Sequence, residues 1–264
     1  MSREVENLFN IALLRKEFRE LRWLLWVGII VLSLMGIIAA LTWLWTDDLF
    51  GMLDLMGQEF RDLMEGEMRF AMDSLTNYLW SQWHPKNLLQ IGTLLAIIIG
   101  AQAVASEVNR GSIEFLISRP VSRASILIHK SAAGAIILSL AVWVSTLFVI
   151  GTGMALGSVH WQSLLAATFL TNIGLFIVQA FATWISVHSA DAIKAGAISA
   201  ALLALYSVLG MFRATSQASF FWQMRGISWF VGGGAYPWLA IVGMITVTLL
   251  LFGLAIHQFA KKEY

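Results

Sequence analysis

The sequence of 264 residues contains no cysteine, and only 12% of its residues are charged, whereas 58% are hydrophobic. The missing cysteine excludes disulfides, thiolate nucleophiles and cysteine-ligated metals, without fixing a redox compartment. A soluble domain of this size normally carries roughly twice this charged fraction. Residues 87–106 and 195–212 include no Asp, Glu, Lys or Arg, and a run of about 20 apolar residues crosses a hydrocarbon core. These absences predict a polytopic membrane protein.

The shortage of charge also limits the chemistry that the chain performs. The predicted spans hold essentially no ionisable residue near their centres, which argues against a proton- or sodium-coupled carrier. No HExxH sequence and no Gly-Lys pair occur, so a zinc protease motif and a phosphate-binding P-loop are both excluded. A membrane enzyme that modifies lipids or cuts proteins is therefore disfavoured. A permease driven by a partner and a non-transporting scaffold or sensor subunit both stay open.

Hydrophobic periodicity predicts an all-α fold with six transmembrane helices, in a single transmembrane domain over residues 1–264. The predicted spans cover residues 24–45, 87–106, 126–156, 164–187, 195–212 and 237–259. An amphipathic cytoplasmic helix over residues 1–23 precedes the first span, because its apolar and basic side chains occupy different faces. Residues 46–86 are expected to form an extracytoplasmic helical segment, either a cap on the membrane face or a gate over a substrate exit. Short re-entrant helices are expected over residues 213–236, where Gly232, Gly233 and Gly234 break the apolar pattern.

Basic residues set the orientation of the spans. With the predicted topology, 12 of the 17 Lys and Arg residues lie on the side of the N-terminus and 5 on the other side. Bases concentrate on the cytoplasmic side of membrane proteins. An even number of spans puts both termini on one side, so both termini are predicted to be cytoplasmic.

Small residues recur at four-residue steps along three predicted spans. The three stripes are Gly92, Ala96 and Gly100; Gly196, Ala200 and Ala204; and Gly153 with Gly157. Such faces let helices approach closely. The approach serves either packing within one subunit or contact between two subunits.

The most informative segment is the loop 107–125 between the second and third predicted spans. Its apolar-acidic turn, from Glu114 to Ile117, is stopped by Pro120, which disfavours a helical conformation in the residue before it. Ser122 then stands where it caps the third span. A short rigid helix with charges around an apolar tip suits recognition by another protein, whereas an ordinary positive-inside loop needs only the bases.

This loop resembles that of the permease subunits of ATP-binding-cassette exporters of the ABC-2 type. The residues that match the pattern of this family are Glu107, Gly111, Ser112, Glu114, Leu116, Pro120, Arg123 and Lys130. His129 departs from the small residue usual before the lysine, and we expect it to alter packing slightly at the start of the third span. Weaker parts of the resemblance are the N-terminal Arg15, Lys16 and Glu17, the six-span layout and the short helices before the last span.

The resemblance implies that residues 107–123 form a cytoplasmic coupling helix, seated in a cleft of a separate nucleotide-binding subunit with the N-terminal helix beside it. The residues implied in this contact are Glu107, Arg110, Gly111, Glu114, Phe115, Leu116, Arg119, Pro120 and Arg123. ATP and Mg²⁺ then belong to the partner subunit, and this chain binds no cofactor, metal or nucleic acid. Two copies of the permease, or this chain and a related one, are expected to line the path, surrounded by lipid of a prokaryotic plasma or inner membrane.

No motif specifies the substrate. The aromatic residues that could line an apolar path are Trp143, Phe148, Phe169, Phe176 and Trp184. They favour a hydrophobic or amphipathic substrate, such as a drug, lipid or peptide, although the same side chains also suit positions that face lipid. The resemblance alone implies export rather than import.

Overall fold

The computed structural model describes residues 11–46, 70–113, 122–212 and 214–262. Of these residues 87% are helical, and none lies in a strand. Within the described ranges, five helices are long and apolar enough to cross a membrane: Ile11–Trp45, Arg123–Leu156, Trp161–His188, Ala192–Met211 and Trp238–Lys261. The predicted all-helical membrane fold is confirmed. The five helices correspond to the first, third, fourth, fifth and sixth predicted spans.

The first long helix, α1 (Ile11–Leu41), continues into a 3₁₀ turn at Thr42–Trp45. No proline interrupts this stretch, so the helix predicted over residues 1–23 is, from Ile11 onward, the same helix as the first span. Its buried residues include Leu13, Glu17, Leu24, Leu25, Gly28, Leu32 and Gly36, which recur at helical spacing and form one face. That face packs along the helix Arg123–Leu156. Residues 1–10 lie outside the described residues.

The second predicted span differs from the expectation in its boundaries. Helix α2 (Leu75–Gln82), a π-helical turn (Trp83–Leu88) and α3 (Leu89–Ala101) follow one another without a break. The second span is predicted to begin at residue 87, where the charge-free apolar run starts. Pro85 lies inside the continuous helix, although a proline in an α-helix lacks the N–H donor and clashes with the preceding turn. The π turn accommodates Pro85 instead, and the side-chain amide of Asn87 donates to the carbonyl of Gln82 at 2.7 Å. Residues 47–69 of the predicted extracytoplasmic segment lie outside the described residues.

A short helix, α4 (Ala105–Asn109), precedes the two helices at the centre of the bundle, α5 (Arg123–Leu156) and α6 (Trp161–His188). Leu138, Leu170 and Leu175 are fully buried on the two central helices. The hydroxyl of Ser122 accepts a hydrogen bond from the N–H of Ser125 at 3.1 Å, which confirms the predicted cap of the third span.

The rest of the chain alternates long and short helices. Their bounds are α7 (Ala192–Ser207), a 3₁₀ turn at Val208–Met211, a second at Ser216–Ala218, α8 (Phe220–Arg225), α9 (Ile227–Phe230) and α10 (Trp238–Lys261). Asp191 caps α7 by accepting from the N–H groups of Ile193 and Lys194. Gly226 takes a φ of +66° between α8 and α9, a conformation that favours glycine. Short helices thus occupy the region where re-entrant helices are expected.

Two of the three small-residue stripes pack inside the chain. A Cβ atom on Gly92 would lie 2.9 Å from Leu175 of α6, and one on Gly153 would lie 2.5 Å from Leu79 of α2. A Cβ atom on Gly196 would lie 3.7 Å from Ala101 at the end of α3. The stripes of α3 and α5 therefore serve close packing within the subunit, whereas the stripe of α7 makes only ordinary contact at Gly196 and is exposed at Ala204.

Replacing Gly100 by alanine tests this packing. A Cβ atom there would lie 2.5 Å from the carbonyl oxygen of Gln179, so α3 and α6 must move apart. We expect Gly100→Ala to destabilise the protein by roughly 1–3 kcal/mol, measured as a lower midpoint of thermal unfolding in detergent. Gly243→Ala on α10 is the matched control, because nothing lies within 4 Å of a Cβ atom at that position. Equal midpoints for the two variants would contradict the packing.

Candidate functional site

Polar side chains gather where α4 meets the first turns of α1 and α5. After α3 ends at Ala101, the chain turns, and the N–H of Val104 donates to the hydroxyl of Ser186 at 3.1 Å. This bond fixes the turn to the end of α6. Ala105 and Glu107 are the buried residues of α4. The short helix therefore directs its acidic side chain into the protein.

A tight turn after α4 fixes the orientation of that acid. Gly111 has a φ of +67°, and the N–H of Ser112 donates back to the carbonyl of Glu107 at 3.0 Å. The hydroxyl of Ser112 donates to the carboxylate of Glu107. The Gly-Ser pair of the loop thus has a structural role, which is to hold the Glu107 side chain in place.

The partner of Glu107 is Lys130, two turns into α5. The Lys130 Nζ donates to Glu107 Oε1 at 2.8 Å and to Glu17 Oε2, on α1, at 2.9 Å. All three side chains are buried: Glu17 is 2% exposed, and Glu107 and Lys130 are each 7% exposed. One ammonium group therefore joins α1, α4 and α5. We refer to Glu17, Lys130 and Glu107 as the ion triad.

The surroundings of Glu107 set its charge state. Removing an ion from water costs several kcal/mol, and the short charge-assisted hydrogen bonds of the triad offset this cost. Burial by itself raises the pKa of the Glu107 carboxyl. The charge of Lys130 and the hydrogen bonds from Lys130 and Ser112 outweigh burial, and they hold the pKa of Glu107 below its ordinary value. Glu107 is therefore ionised at neutral pH.

Further charges connect the ion triad to the protein surface. Lys16 pairs with Glu17 at 3.3 Å and with Glu20 at 3.0 Å. A small cavity of about 50 Å³ beside these side chains is lined in part by Glu20 and Arg110. Within the described ranges, no group of three or more His, Cys, Asp or Glu side chains is placed to hold a metal ion. The arrangement is suited to holding helices α1, α4 and α5 together.

A second set of polar contacts fixes the start of α5 to the ends of α6 and α10. Arg123 donates to the carbonyl of Lys262, and the Lys262 Nζ donates to the carbonyl of Val187 at 2.7 Å. Trp184 donates to the Gln258 side chain at 2.6 Å. His129 is buried, and its Nδ1 lies 2.6 Å from the carbonyl oxygen of Ser125 within α5. Both described ends of the loop 107–123 are thus held by polar contacts.

The structure describes four of the nine residues implied in coupling. Glu107 belongs to the ion triad, Gly111 forms the turn that orients it, Arg110 lines the small cavity, and Arg123 lies at the far end of the loop. The others, Glu114, Phe115, Leu116, Arg119 and Pro120, lie outside the described residues, and their role stays a prediction.

Sequence reasoning does not pair Glu17 with Lys130, which stand 113 positions apart. A signal was present in the pattern of α1. Glu17 shares the stripe of Leu13, Leu24 and Gly28, which is the buried face of that helix. A carboxylate on a buried face needs a partner, so this position pointed to a buried base elsewhere in the chain.

The five aromatic residues predicted for a substrate path are not gathered in one place. Phe148 and Phe169 are 50% and 37% exposed, whereas Trp143 is half-buried. Phe176 packs against the main core, and Trp184 against a smaller cluster that includes Val187 and Phe259. A cavity of about 840 Å³ lies between α3, α7 and α8, and its described walls include none of the five.

The family model of ABC-2 family transporter proteins matches residues 11–222 of the chain. The match covers α1 to α7 and the first three residues of α8, including the ion triad and the loop. The chain therefore belongs to the ABC-2 transporter family. It is a multi-pass membrane protein and the permease subunit of an ABC transporter, whose ATPase is a separate partner. A search among curated proteins gave no match.

Removing the central cation tests the energetics of the site. Lys130→Met leaves Glu17 and Glu107 buried without their common partner, which typically costs 3–5 kcal/mol. We expect a clearly lower midpoint of thermal unfolding in detergent. The matched control is Lys194→Met, because Lys194 is exposed at the start of α7 and such surface changes stay within about 0.5 kcal/mol.

The triple variant Glu17→Gln, Glu107→Gln, Lys130→Met separates charge from packing in the same assay. It removes both stranded charges and should recover much of the stability that Lys130→Met loses. If Lys130→Met is as stable as Lys194→Met, the ion triad does not hold these helices together.

Proposed function

We propose that the chain is the permease of an exporter for a hydrophobic or amphipathic substrate, such as a drug, lipid or peptide. Export is driven by ATP hydrolysis in a separate nucleotide-binding subunit, which holds the ATP and Mg²⁺. The observation that carries this proposal is the ion triad, because it connects the segment before the coupling loop to two of the long apolar helices. A displacement of the loop is transmitted to those helices through the charge-assisted hydrogen bonds of Lys130.

The coupling step follows from how the loop is held. At one end of the loop, Glu107 is joined to Lys130; at the other end, Ser122 and Arg123 begin the same helix α5. Breaking a buried pair typically costs 3–5 kcal/mol, so displacement of the loop moves α4 and α5 together rather than separating them. Because Glu17 also binds Lys130, α1 moves with them. Residues 114–120 are proposed to contact the ATPase subunit.

The proposed topology has six crossings. The three consecutive helical pieces Leu75–Gln82, Trp83–Leu88 and Leu89–Ala101 contain 8, 6 and 13 residues and together reach roughly 40 Å, enough for a bilayer. Both termini and the ion triad then lie on the cytoplasmic side. The short helices α8 and α9 lie near the opposite side and are proposed to be re-entrant.

Two permeases form the translocation path in this proposal, either two copies of this chain or this chain and a related one. The site of action is the plasma or inner membrane of a prokaryotic cell. The whole of residues 1–264 acts as one transmembrane domain. A channel between two subunits is consistent with the absence of intramembrane acid pairs, since the energy arrives through the coupling contact and not through an ion gradient.

Co-purification with the ABC ATPase encoded beside the permease gene tests the proposal. The wild-type permease should retain the ATPase, and Glu114→Arg should lose it, because the substitution reverses a charge in the proposed coupling helix. Asp73→Arg is the matched control, an equal charge reversal at an exposed position on the proposed opposite side of the membrane. It should retain the ATPase.

Two outcomes contradict the proposal. If no ATPase associates with the wild type, the chain does not work as a permease of that ATPase. If Glu114→Arg retains the ATPase as well as Asp73→Arg does, residues 107–123 form an ordinary positive-inside loop, and a scaffold or sensor role explains the chain better.

A further inference from the structure

The wall of the 840 Å³ cavity is formed by three helices and is mostly apolar. One side is α3 with the preceding π turn, the second is α7, and α8 closes one end. Most of the lining is aliphatic or aromatic, including Leu94, Ile97 and Leu203. The volume lies within the range of roughly 300–1,000 Å³ that is typical of sites for small molecules.

The cavity is elongated along the helices. Its wall runs from Pro85 to Ile97, which at about 1.5 Å per residue corresponds to roughly 18 Å. One leaflet contributes about half of a hydrocarbon core near 30 Å thick. The cavity thus has the length of one leaflet's apolar layer.

A single cation, Arg225, lies in the described lining. Its level along the bundle follows from contacts on α6. Thr171 donates to the carbonyl of Met224, the residue before Arg225. About one turn earlier on α6, the hydroxyl of Thr168 lies 3.0 Å from His84 Nε2 in the π turn. Arg225 therefore lies at the end of the cavity nearest the π turn. The aliphatic part of the wall runs from there along α3 toward Ile97.

Arg225 has unused hydrogen-bonding capacity. Its Nε–H is buried and has no hydrogen-bond partner among the described residues, and no ion pair there involves it. The guanidinium carbon lies 5.8 Å from the ring centre of Trp222. This cation–π contact is the electrostatic interaction that the structure describes for Arg225. A guanidinium presents its donors in a fork that matches carboxylate and phosphate groups. The cavity thus offers, at one end, a cation without an anionic partner among the described residues.

A second orphan polar atom lies farther along the same wall. The hydroxyl of Thr93 is buried without a hydrogen-bond partner in the described part of the chain, and Thr93 lines the cavity. Buried polar groups without partners are rare and costly. The hydroxyl oxygen is enclosed by protein, so it adds polarity to the wall and the ligand is not expected to bind it directly.

We propose that this cavity binds an anionic amphiphile with a single apolar chain. Its carboxylate or phosphate group lies against the terminal N–H groups of Arg225, and its apolar chain lies along α3 and α7. The bound molecule is the cargo of the transporter, and in this respect the inference rests on the proposed function. The site selects against neutral amphiphiles, because they leave the guanidinium without an anion. It selects against cationic amphiphiles by charge repulsion.

Native mass spectrometry of the full-length permease in a neutral detergent tests the inference. The probes are oleoyl lysophosphatidate, which is anionic with one chain, and monoolein, which is neutral with the same chain. Dioleoyl phosphatidate, which is anionic with two chains, represents a bilayer lipid. We expect the wild type to bind one lysophosphatidate roughly tenfold or more tightly than monoolein, as a charge-assisted pair predicts.

Three variants assign the site. Arg225→Gln should reduce lysophosphatidate binding to the level of monoolein without changing monoolein binding. Lys86→Gln is the matched control, because Lys86 is an exposed cation of the same π turn that pairs with Gln82; it should bind like the wild type. Ala200→Phe places a larger side chain in the cavity wall and should weaken the binding of both single-chain probes.

The outcomes separate the possible sources of the ligand. If the wild type does not prefer lysophosphatidate to monoolein, or if Arg225→Gln keeps the preference, the inference is wrong, even where Ala200→Phe fails to fold. If dioleoyl phosphatidate binds at least as tightly and depends equally on Arg225, the cavity holds a structural bilayer lipid and not cargo. Arg225→Gln should retain the ATPase in co-purification, so failure of this inference and failure of the coupling proposal are distinguishable.

Discussion

A lysine ammonium placed between two buried carboxylates is the constraint on which the loop side of this permease depends. Lys130 bonds to Glu17 and Glu107 at 2.9 and 2.8 Å, and these three residues come from three separate helices. Neutral residues of similar volume stabilise a fold as well as buried ions do. The particular property of the triad is that Lys130 cannot leave without stranding two buried carboxylates, and for this reason we propose that α1, α4 and α5 move as one body.

The loop side of the bundle and the region farther along the helices are held together by different interactions. On the side of the ion triad, polar contacts fix the loop ends, Glu107 at one and Arg123 at the other. Farther along the bundle, glycines let the helices touch, as at Gly100 against α6, and an open cavity remains between α3, α7 and α8. Fixed loop ends and a partly open apolar cavity suit the proposed function, in which contact with the ATPase moves helices around an apolar substrate.

Much of the fold could be predicted because hydrophobic patterning is local. Five spans, the Ser122 cap and the family were predicted from runs of apolar residues and from the order of residues in the loop. The π turn was not predicted, because Pro85 indicates a break unless the side chain of Asn87 and the wider turn compensate. The triad was not predicted either, since pairing Glu17 with Lys130 depends on how α1 packs against α5. Arg225 is the same kind of case, because only packing against α6 places it at the cavity.

In this permease, α4 and α1 are expected to move together when the ATPase binds nucleotide. The chain has no cysteine, so spin labels on cysteines introduced at Arg19 and Asn109, both exposed, report one distance between the two helices. In the complex with the ATPase, the account predicts a narrow distribution that is the same with and without ATP, and a broad distribution after Lys130→Met. A distance that shifts with ATP in the otherwise wild-type complex would show that α4 moves independently of α1 and would contradict the account.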